Sequence, residues 1–497
     1  MIQLKLSYKS TRSETNINSS EAIVQGIADK GGLFVPTSFP KIDIPFSQLK
    51  DFDYKRLAIY ILKKFLTDFS EEELNGYVEK AYDQKFENKS IVPIVKKEDV
   101  YFLELYHGPT LAFKDMALSI LPYLLKASLK KNKIEKEVVI LTATSGDTGK
   151  AALEGFADVD DTKIIVFYPE HGVSPIQKKQ MSTQKGENTY VIGVNGNFDE
   201  AQNSIKEIFN DEVLEESIEK KGYIFSSANS INIGRLIPQI VYYVYSYMWL
   251  LKKGEIEEGE EINIVVPTGN FGNILAAYYS KKMGIPVNKF ICASNENNVL
   301  CEFFNKGIYD KNKEFKITSS PSMDILISSN LERLIYEICD GNEDKVKTYM
   351  DKLKYGGTYE LDKEELEKLN SFYSSFATDE ETYEKLKEVY DKYSYLMDTH
   401  TAVAYKVYED YKKDTGDKRK SIIASTASPF KFTRDVAKAL KINDEKLDDF
   451  QLIYKISEYT GVMVPKTIEK LYKEEIIHNR KCEKEDIKNV IKEILKV

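Results

Sequence analysis

Residues 107–117 read HGPTLAFKDMA, and they set one lysine, Lys114, inside an otherwise apolar run just after a turn-forming Gly-Pro. A lysine stripped of water loses proton affinity, and the neutral amine is a nucleophile toward carbonyl carbon. Lys114 therefore either reaches out to solvent or supplies an amine to an interior site. Three further stretches bear on that choice. TATSGDTGKAA (142–152) follows the apolar run VVILT, and Thr144, Ser145, Gly146, Asp147, Thr148 and Gly149 gather hydroxyls and unhindered N–H groups where a helix begins. Such a composition suits a carboxylate or phosphate, and it equally suits plain helix capping. VVPTGNFGNILAA (265–277) passes from an apolar strand through Gly269, Asn270, Phe271, Gly272 and Asn273 into a small-residue helix, the composition of a phosphate cradle. Asn270 and Asn273 tolerate the left-handed conformations such a turn needs. The third glycine of GxGxxG and the GK[ST] of a nucleotide loop are both missing, so a monophosphate fits better than a nucleotide. SSANSINIGRLIPQ (226–239) sets Ser230, Asn232 and Arg235 at the head of a long apolar helix. An arginine in a first turn opposes the helix dipole unless an anion neutralises it.

A desolvated lysine together with a phosphate cradle is what pyridoxal phosphate requires: an aldehyde to condense and a tail to hold. No metal site is expected. Cys292, Cys301, Cys339 and Cys482 lack metal-ligand spacing and read as free thiols.

The elements that must position these groups are visible in the patterning. VVILT (138–142), KIIVFY (163–168), TYVIGV (189–194), INIVVP (262–267), FICAS (290–294) and SIIAST (421–426) predict buried strands. Helical patterns near 147–157, 174–184, 198–221 and 232–252 alternate with them, which predicts an α/β frame of parallel strands with helices on both faces. In such sheets ligands lie beyond the carboxyl ends of the strands, where the three loops above begin. The expected division is an N-terminal domain (1–95), an α/β core (96–300 and 421–497) with a substrate subdomain nested near 140–225, and a mostly helical insertion (301–420). A length of 497 residues is in keeping with about three units. Within the insertion, 343–369 alternates charge sign along helical faces and reads as solvated surface.

A net charge of -9 argues against a nucleic-acid partner, which would need a basic face. The longest apolar stretch, IPQIVYYVYSYMWLL (237–251), is short and rich in tyrosine for a membrane span. The opening MIQLKLSYKSTRS has no apolar signal-peptide core. A cytoplasmic protein is expected, with no membrane partner.

HGPTLAFKD, TATSGDTG, ANSINIGRLIPQ and PTGNFGN, in that order, resemble the motifs of the threonine synthase family, pyridoxal phosphate lyases of the tryptophan-synthase β-subunit fold group. YKSTR (8–12), GLFVP (32–36) and HTAVAY (400–405) extend the resemblance over nearly the whole chain. It implies fold type II: two parallel-sheet α/β subdomains with a small N-terminal domain and a helical insertion. It further implies that Lys114 carries the cofactor, and that Gly269, Asn270, Phe271, Gly272 and Asn273 hold its phosphate. Thr426 would face the pyridine nitrogen and Asp147 the phenolic oxygen. Thr144, Ser145 and Thr148 would receive the substrate, and Ser230, Asn232 and Arg235 its phosphate. The implied substrate is O-phospho-L-homoserine, and the implied state is a monomer or homodimer. The family carries TAHPAKF where this chain has TASPFKF (426–432), so Ser428 stands in place of a histidine. His107 and His400 lie within motifs and are expected to cap or pack rather than to titrate in catalysis.

Overall fold

The Val- and Ile-rich runs are buried on both faces and assemble into two parallel sheets. The computed structural model describes residues 6–144, 146–170, 173–196, 198–209, 211–442 and 446–497. The larger sheet runs in the order Phe372–Phe376, Val287–Ser294, Ile262–Pro267, Ser421–Ser425, Val100–Glu104, Ile94–Lys97, and only the last pairing is antiparallel. The smaller is parallel throughout, in the order Lys481–Glu483, Thr189–Asn195, Thr162–Pro169, Glu137–Ala143, Tyr223–Ser226. All six strands expected from patterning are present.

This order decides what meets at the strand ends. Ser421–Ser425 lies between Ile262–Pro267 and Val100–Glu104, so the loops bearing Thr426, Gly269 and Lys114 leave adjacent strands on one edge. In the smaller sheet Glu137–Ala143 neighbours Tyr223–Ser226, which brings the 144–149 loop beside the 227–232 loop. The apolar stretch 237–251 lies inside helix Ile233–Lys253, capped by Asn232 and by left-handed Gly254, and packs against helices Tyr54–Phe65 and Gly272–Met283. Among the described residues no helix is long and apolar enough to cross a membrane.

Two segments outside the strands expected from patterning add to these sheets. Residues 301–420 are largely helical, yet FYSSF within them forms the edge strand Phe372–Phe376 of the larger sheet. Its serines escape an apolar pattern because their hydroxyls are satisfied: Ser374 Oγ donates to the Cys292 carbonyl at 2.7 Å, and Ser375 Oγ to Asp410 at 2.7 Å. The C-terminal residues cross to the smaller sheet, where Lys481–Glu483 pairs with Gly193–Asn195 and helix Ile487–Leu495 joins its core. At the other end, Tyr8–Ser10 pairs with Phe34–Pro36, and Arg12 grips Glu332 through two hydrogen bonds of 2.8 and 2.5 Å.

Candidate active site

Lys114 is held by a loop that is itself zipped to the segment leaving strand Ser421–Ser425. Phe113 N–H donates to the Thr426 carbonyl at 2.8 Å, and Ser428 N–H donates to the Leu111 carbonyl at 3.1 Å. The Asp115 carboxylate closes the preceding turn, accepting from Thr110 N–H at 2.8 Å and Thr110 Oγ1 at 2.5 Å. Burial pushes the Asp115 carboxyl up to about 6. A side chain at position 108 would start 2.5 Å from Asp115 Oδ2, which is why the turn has glycine there. The Lys114 side chain is 11% exposed, and its Nζ lies 3.5 Å from Asp147 Oδ2. It does not reach out to solvent; the amine points into the protein.

A second lysine shares that carboxylate. Lys431, whose side chain is 0% exposed, sets its Nζ 2.6 Å from Asp147 Oδ1 and donates to the Thr110 carbonyl at 2.8 Å. Gln177 Nε2 donates to Asp147 Oδ1 at 2.8 Å, and Ser322 Oγ lies 3.4 Å from Oδ2. Burial alone would push the Asp147 carboxyl up, but the Lys431 and Lys114 ammonium groups outweigh it and hold the group far below the usual carboxylate range. Burial lowers the proton affinity of Lys114; Asp147 opposes this, while the positive charges of Lys431 and Arg235 add to it. Lys431 is engaged at both partners, whereas the ion pair of Lys114 is one long approach to Asp147, with the Phe113 ring centroid 5.0 Å away. Of the two amines, Lys114 is the one available to react.

Arg235 completes the charge pattern. It is buried in the first turn of helix Ile233–Lys253, donates from Nη1 to the Ala228 carbonyl at 2.7 Å, and has no partner at Nε. Burial pulls its guanidinium down to about 10. Among the described residues no carboxylate pairs with it. Lys114 and Lys431 thus share Asp147, and Arg235 adds a third buried cation whose charge is felt at Lys114, an arrangement that calls for anions.

The 267–273 loop supplies a matching cradle. Gly272 opens helix Gly272–Met283, whose first-turn N–H groups face outward. The buried Asn273 amide takes hydrogen bonds at Oδ1 from Tyr242 (2.6 Å) and Tyr243 (2.5 Å), which leaves Nδ2 a buried donor without a partner. The left-handed residue here is Phe271, at φ 63°, rather than either asparagine. Its ring stacks on Phe304 at 5.9 Å and so anchors the strained backbone. Gly269 is required for space instead: a Cβ there would lie 2.8 Å from the Ser322 carbonyl. Gly269→Ala is expected to weaken cofactor retention by about tenfold or more, through displacement of one of these loops. A cofactor titration followed by absorbance checks it, and unaltered binding would contradict the cradle. A buried reactive amine, a helix start with a spare amide donor and an excess of positive charge together fit pyridoxal phosphate. Among the described residues no cluster fits a metal ion. Two surface depressions, of about 490 Å³ beside Tyr349–Asp362 and about 700 Å³ beside Tyr383–Lys392, contain none of these groups.

Other expected site residues are used differently. Both ends of the Asn232 amide are engaged in the fold: Oδ1 caps Gly234 N–H at 2.9 Å and Nδ2 donates to the Ile23 carbonyl at 3.0 Å. Thr144 Oγ1 accepts from Gly146 N–H at 3.0 Å and Gly149 N–H at 2.9 Å, so its hydroxyl acts as a cap. Thr148 is half-buried on the same helix, and Ser145 lies outside the described residues. Ser230 Oγ accepts from Asn330 Nδ2 at 3.2 Å, and Asn330 also binds the Asn270 carbonyl at 2.8 Å, joining the 226–232 loop to the cradle. Ser428 caps the turn Pro429–Lys431 and thereby aims Lys431 at Asp147.

Gln177, Ser322, Asn330 and Lys431 were not expected at the site. Lys431 carries the same signal as Lys114, a lysine between aromatic or apolar neighbours just past a strand. Ser322 is fixed by His400: Nδ1 hydrogen-bonds Asp398 at 2.7 Å, leaving Nε2 to accept Ser322 N–H at 3.2 Å. His400 therefore positions a loop, and His107 pairs with Glu104 at 2.7 Å.

Comparison with known proteins places this site in context. Residues 7–82 match the family model described as threonine synthase N terminus, residues 89–426 that of pyridoxal-phosphate dependent enzymes, and residues 401–490 that of threonine synthase, C-terminal. Threonine synthase-like 1 of Homo sapiens is 38% identical over 456 residues, 89% of this chain and 61% of that protein. The chain thus spans 61% of the length of that relative. Threonine synthase of Saccharomyces cerevisiae is 35% identical over 465 residues, 87% of this chain and 89% of the yeast protein. The crystal structure of pyridoxal phosphate-bound threonine synthase from Brucella melitensis superposes with a TM-score of 0.87 at 30% identity, over 99% of each chain.

Proposed function

The chain belongs to the threonine synthase family of pyridoxal-phosphate-dependent enzymes, and from that premise we propose that it converts O-phospho-L-homoserine and water to L-threonine and inorganic phosphate. The reaction is the last step of threonine biosynthesis. The observation that carries the reading is the buried pair Lys114 and Lys431 sharing the Asp147 carboxylate, with the buried Arg235 guanidinium close enough for its charge to be felt at Lys114. A cofactor with a phosphate tail and a phosphorylated substrate supply the missing negative charge.

Lys114 would carry the cofactor, the Gly269–Asn273 loop would hold its phosphate, and Thr426 and Asp147 would border its ring. Bound pyridoxal phosphate supplies a conjugated ring that takes up electron density as a C–H bond of the substrate breaks. Lys114, its proton affinity lowered by burial, removes the Cα proton as general base. Arg235 and Ser230 orient the substrate phosphate so that, once a Cβ proton has also been removed, it departs from Cγ with the electron pair of the C–O bond. Thr144, as a cap, shapes the loop in which Ser145 and Thr148 would receive the substrate carboxylate at the start of the following helix. Cγ then takes up a proton to become the methyl group, water adds at Cβ to give the threonine hydroxyl, and a proton returns to Cα. Burial of the Lys114 side chain keeps bulk solvent away from its amine. We place the enzyme in the cytoplasm, as a monomer or homodimer.

The test is to incubate the purified protein, loaded with cofactor, with O-phospho-L-homoserine and to quantify phosphate and threonine together. Equal amounts of both are expected. Phosphate accompanied by 2-oxobutyrate would instead identify a phospho-amino-acid lyase, and turnover of unphosphorylated serine or threonine alone a dehydratase.

A further inference from the structure

The reading above leaves the amine of Lys431, buried beside the site, without a role. Lys431 is fully enclosed, its Nζ 2.6 Å from Asp147 Oδ1 and 2.8 Å from the Thr110 carbonyl. Asp147 stands between the two lysines, with Oδ1 toward Lys431 and Gln177 and Oδ2 toward Lys114 at a looser 3.5 Å. We propose that Lys431 is a positioning residue that occupies one oxygen of Asp147 and so withholds that carboxylate from the amine of Lys114, keeping the amine free to react. The proposal rests on the functional reading and deepens it.

The geometry carries the argument. Without Lys431, Asp147 would be a buried carboxylate whose remaining cation is Lys114, and it would draw that ammonium in and retain its proton. The charged groups facing Lys114 are Asp147, Lys431 from the turn Pro429–Lys431, and Arg235 from helix Ile233–Lys253; Asp115, the next residue along, also feels Lys431. Lys431 and Arg235 both oppose the ammonium form and Asp147 alone favours it, so removal of Lys431 shifts the balance in one direction. Ser428, by capping the turn that carries Lys431, belongs to the same device.

The test uses the holoenzyme and two variants. Lys431→Gln keeps a hydrogen-bond donor for Asp147 and removes the charge. The readout is the pH midpoint of the bound cofactor's visible absorbance without substrate, which reports protonation of the nitrogen contributed by Lys114; the acidic limb of kcat/KM is measured alongside. Lys431→Gln is expected to raise both by about one pH unit or more, with cofactor content retained. A midpoint that does not move in the coloured variant overturns the proposal. Should the lone carboxylate prevent folding, the Asp147→Asn, Lys431→Gln double variant replaces the ion pair by a neutral one. Its midpoint is expected within about half a unit of the parent, because the two charges offset one another at Lys114. A fall of more than one unit would show that Asp147 acts on Lys114 without an offset, and would overturn the proposal. Parent protein that stays colourless with cofactor would defeat the functional reading, and with it this one.

Discussion

Lys114→Ala is expected to yield a folded, colourless protein whose turnover of O-phospho-L-homoserine falls by about 10³-fold or more, since both the attachment point and the general base are lost. Folding should survive because Asp147 keeps its shorter ion pair to Lys431 at 2.6 Å, and because the amine that disappears was desolvated with only a 3.5 Å contact. Absorbance of the protein after incubation with cofactor, thermal melting and a phosphate-release assay together check this. The variant separates chemistry from architecture: a white protein with an unchanged Tm supports the assignment, and retained colour with retained turnover refutes it. Lys114→Arg is expected to behave the same way, because a guanidinium does not lose its proton in this range.

The second large effect is expected at Arg235. Arg235→Met retains most of the volume and removes a buried guanidinium that has no carboxylate partner and no acceptor at Nε. The kcat/KM for O-phospho-L-homoserine should fall by about 10²-fold, mainly through KM, as expected for the loss of a charge-assisted contact to a desolvated phosphate. Cofactor content should hardly change. The Tm is expected to stay level or to rise, since an unpaired buried cation is a burden on the substrate-free fold that binding relieves. Steady-state kinetics and melting curves on the same preparations check both directions. Loss of cofactor as the leading effect would move Arg235 from the substrate to the cofactor tail.

The parts of the fold and site that could be read from sequence are those where residue type alone betrays the environment. Lys114 stands out because Ala112 and Phe113 before it and Met116 and Ala117 beyond Asp115 leave an ammonium little water. The parallel core stands out because β-branched runs such as INIVVP have no polar face. Strand Val100–Glu104 was hidden because its buried glutamate looks wrong for a core; in the structure Glu104 is met by His107 at 2.7 Å and Tyr395 at 3.0 Å. Phe372–Phe376 was hidden by serines whose partners are distant in sequence. The roles of Ser322 and Asn330 were equally out of reach. They lie in a segment read as insertion, and only its return over the Gly269 loop brings Ser322 within reach of Asp147. Asn232 and Thr144 illustrate the converse. Residues that cap helices and residues that bind anions share one chemistry, and only three-dimensional partners distinguish them. Lys431 carried a readable signal, PFKF, but a lone lysine does not disclose that it shares a carboxylate with another.

All of these expectations depend on which of two buried amines holds the cofactor. Borohydride treatment of the coloured holoprotein, followed by digestion and mass mapping of lysine-containing peptides, addresses that point most directly. A single stable adduct on Lys114, with Lys431 unmodified, is the predicted result. An adduct on Lys431, or colour that washes away with no lysine modified, would contradict the account.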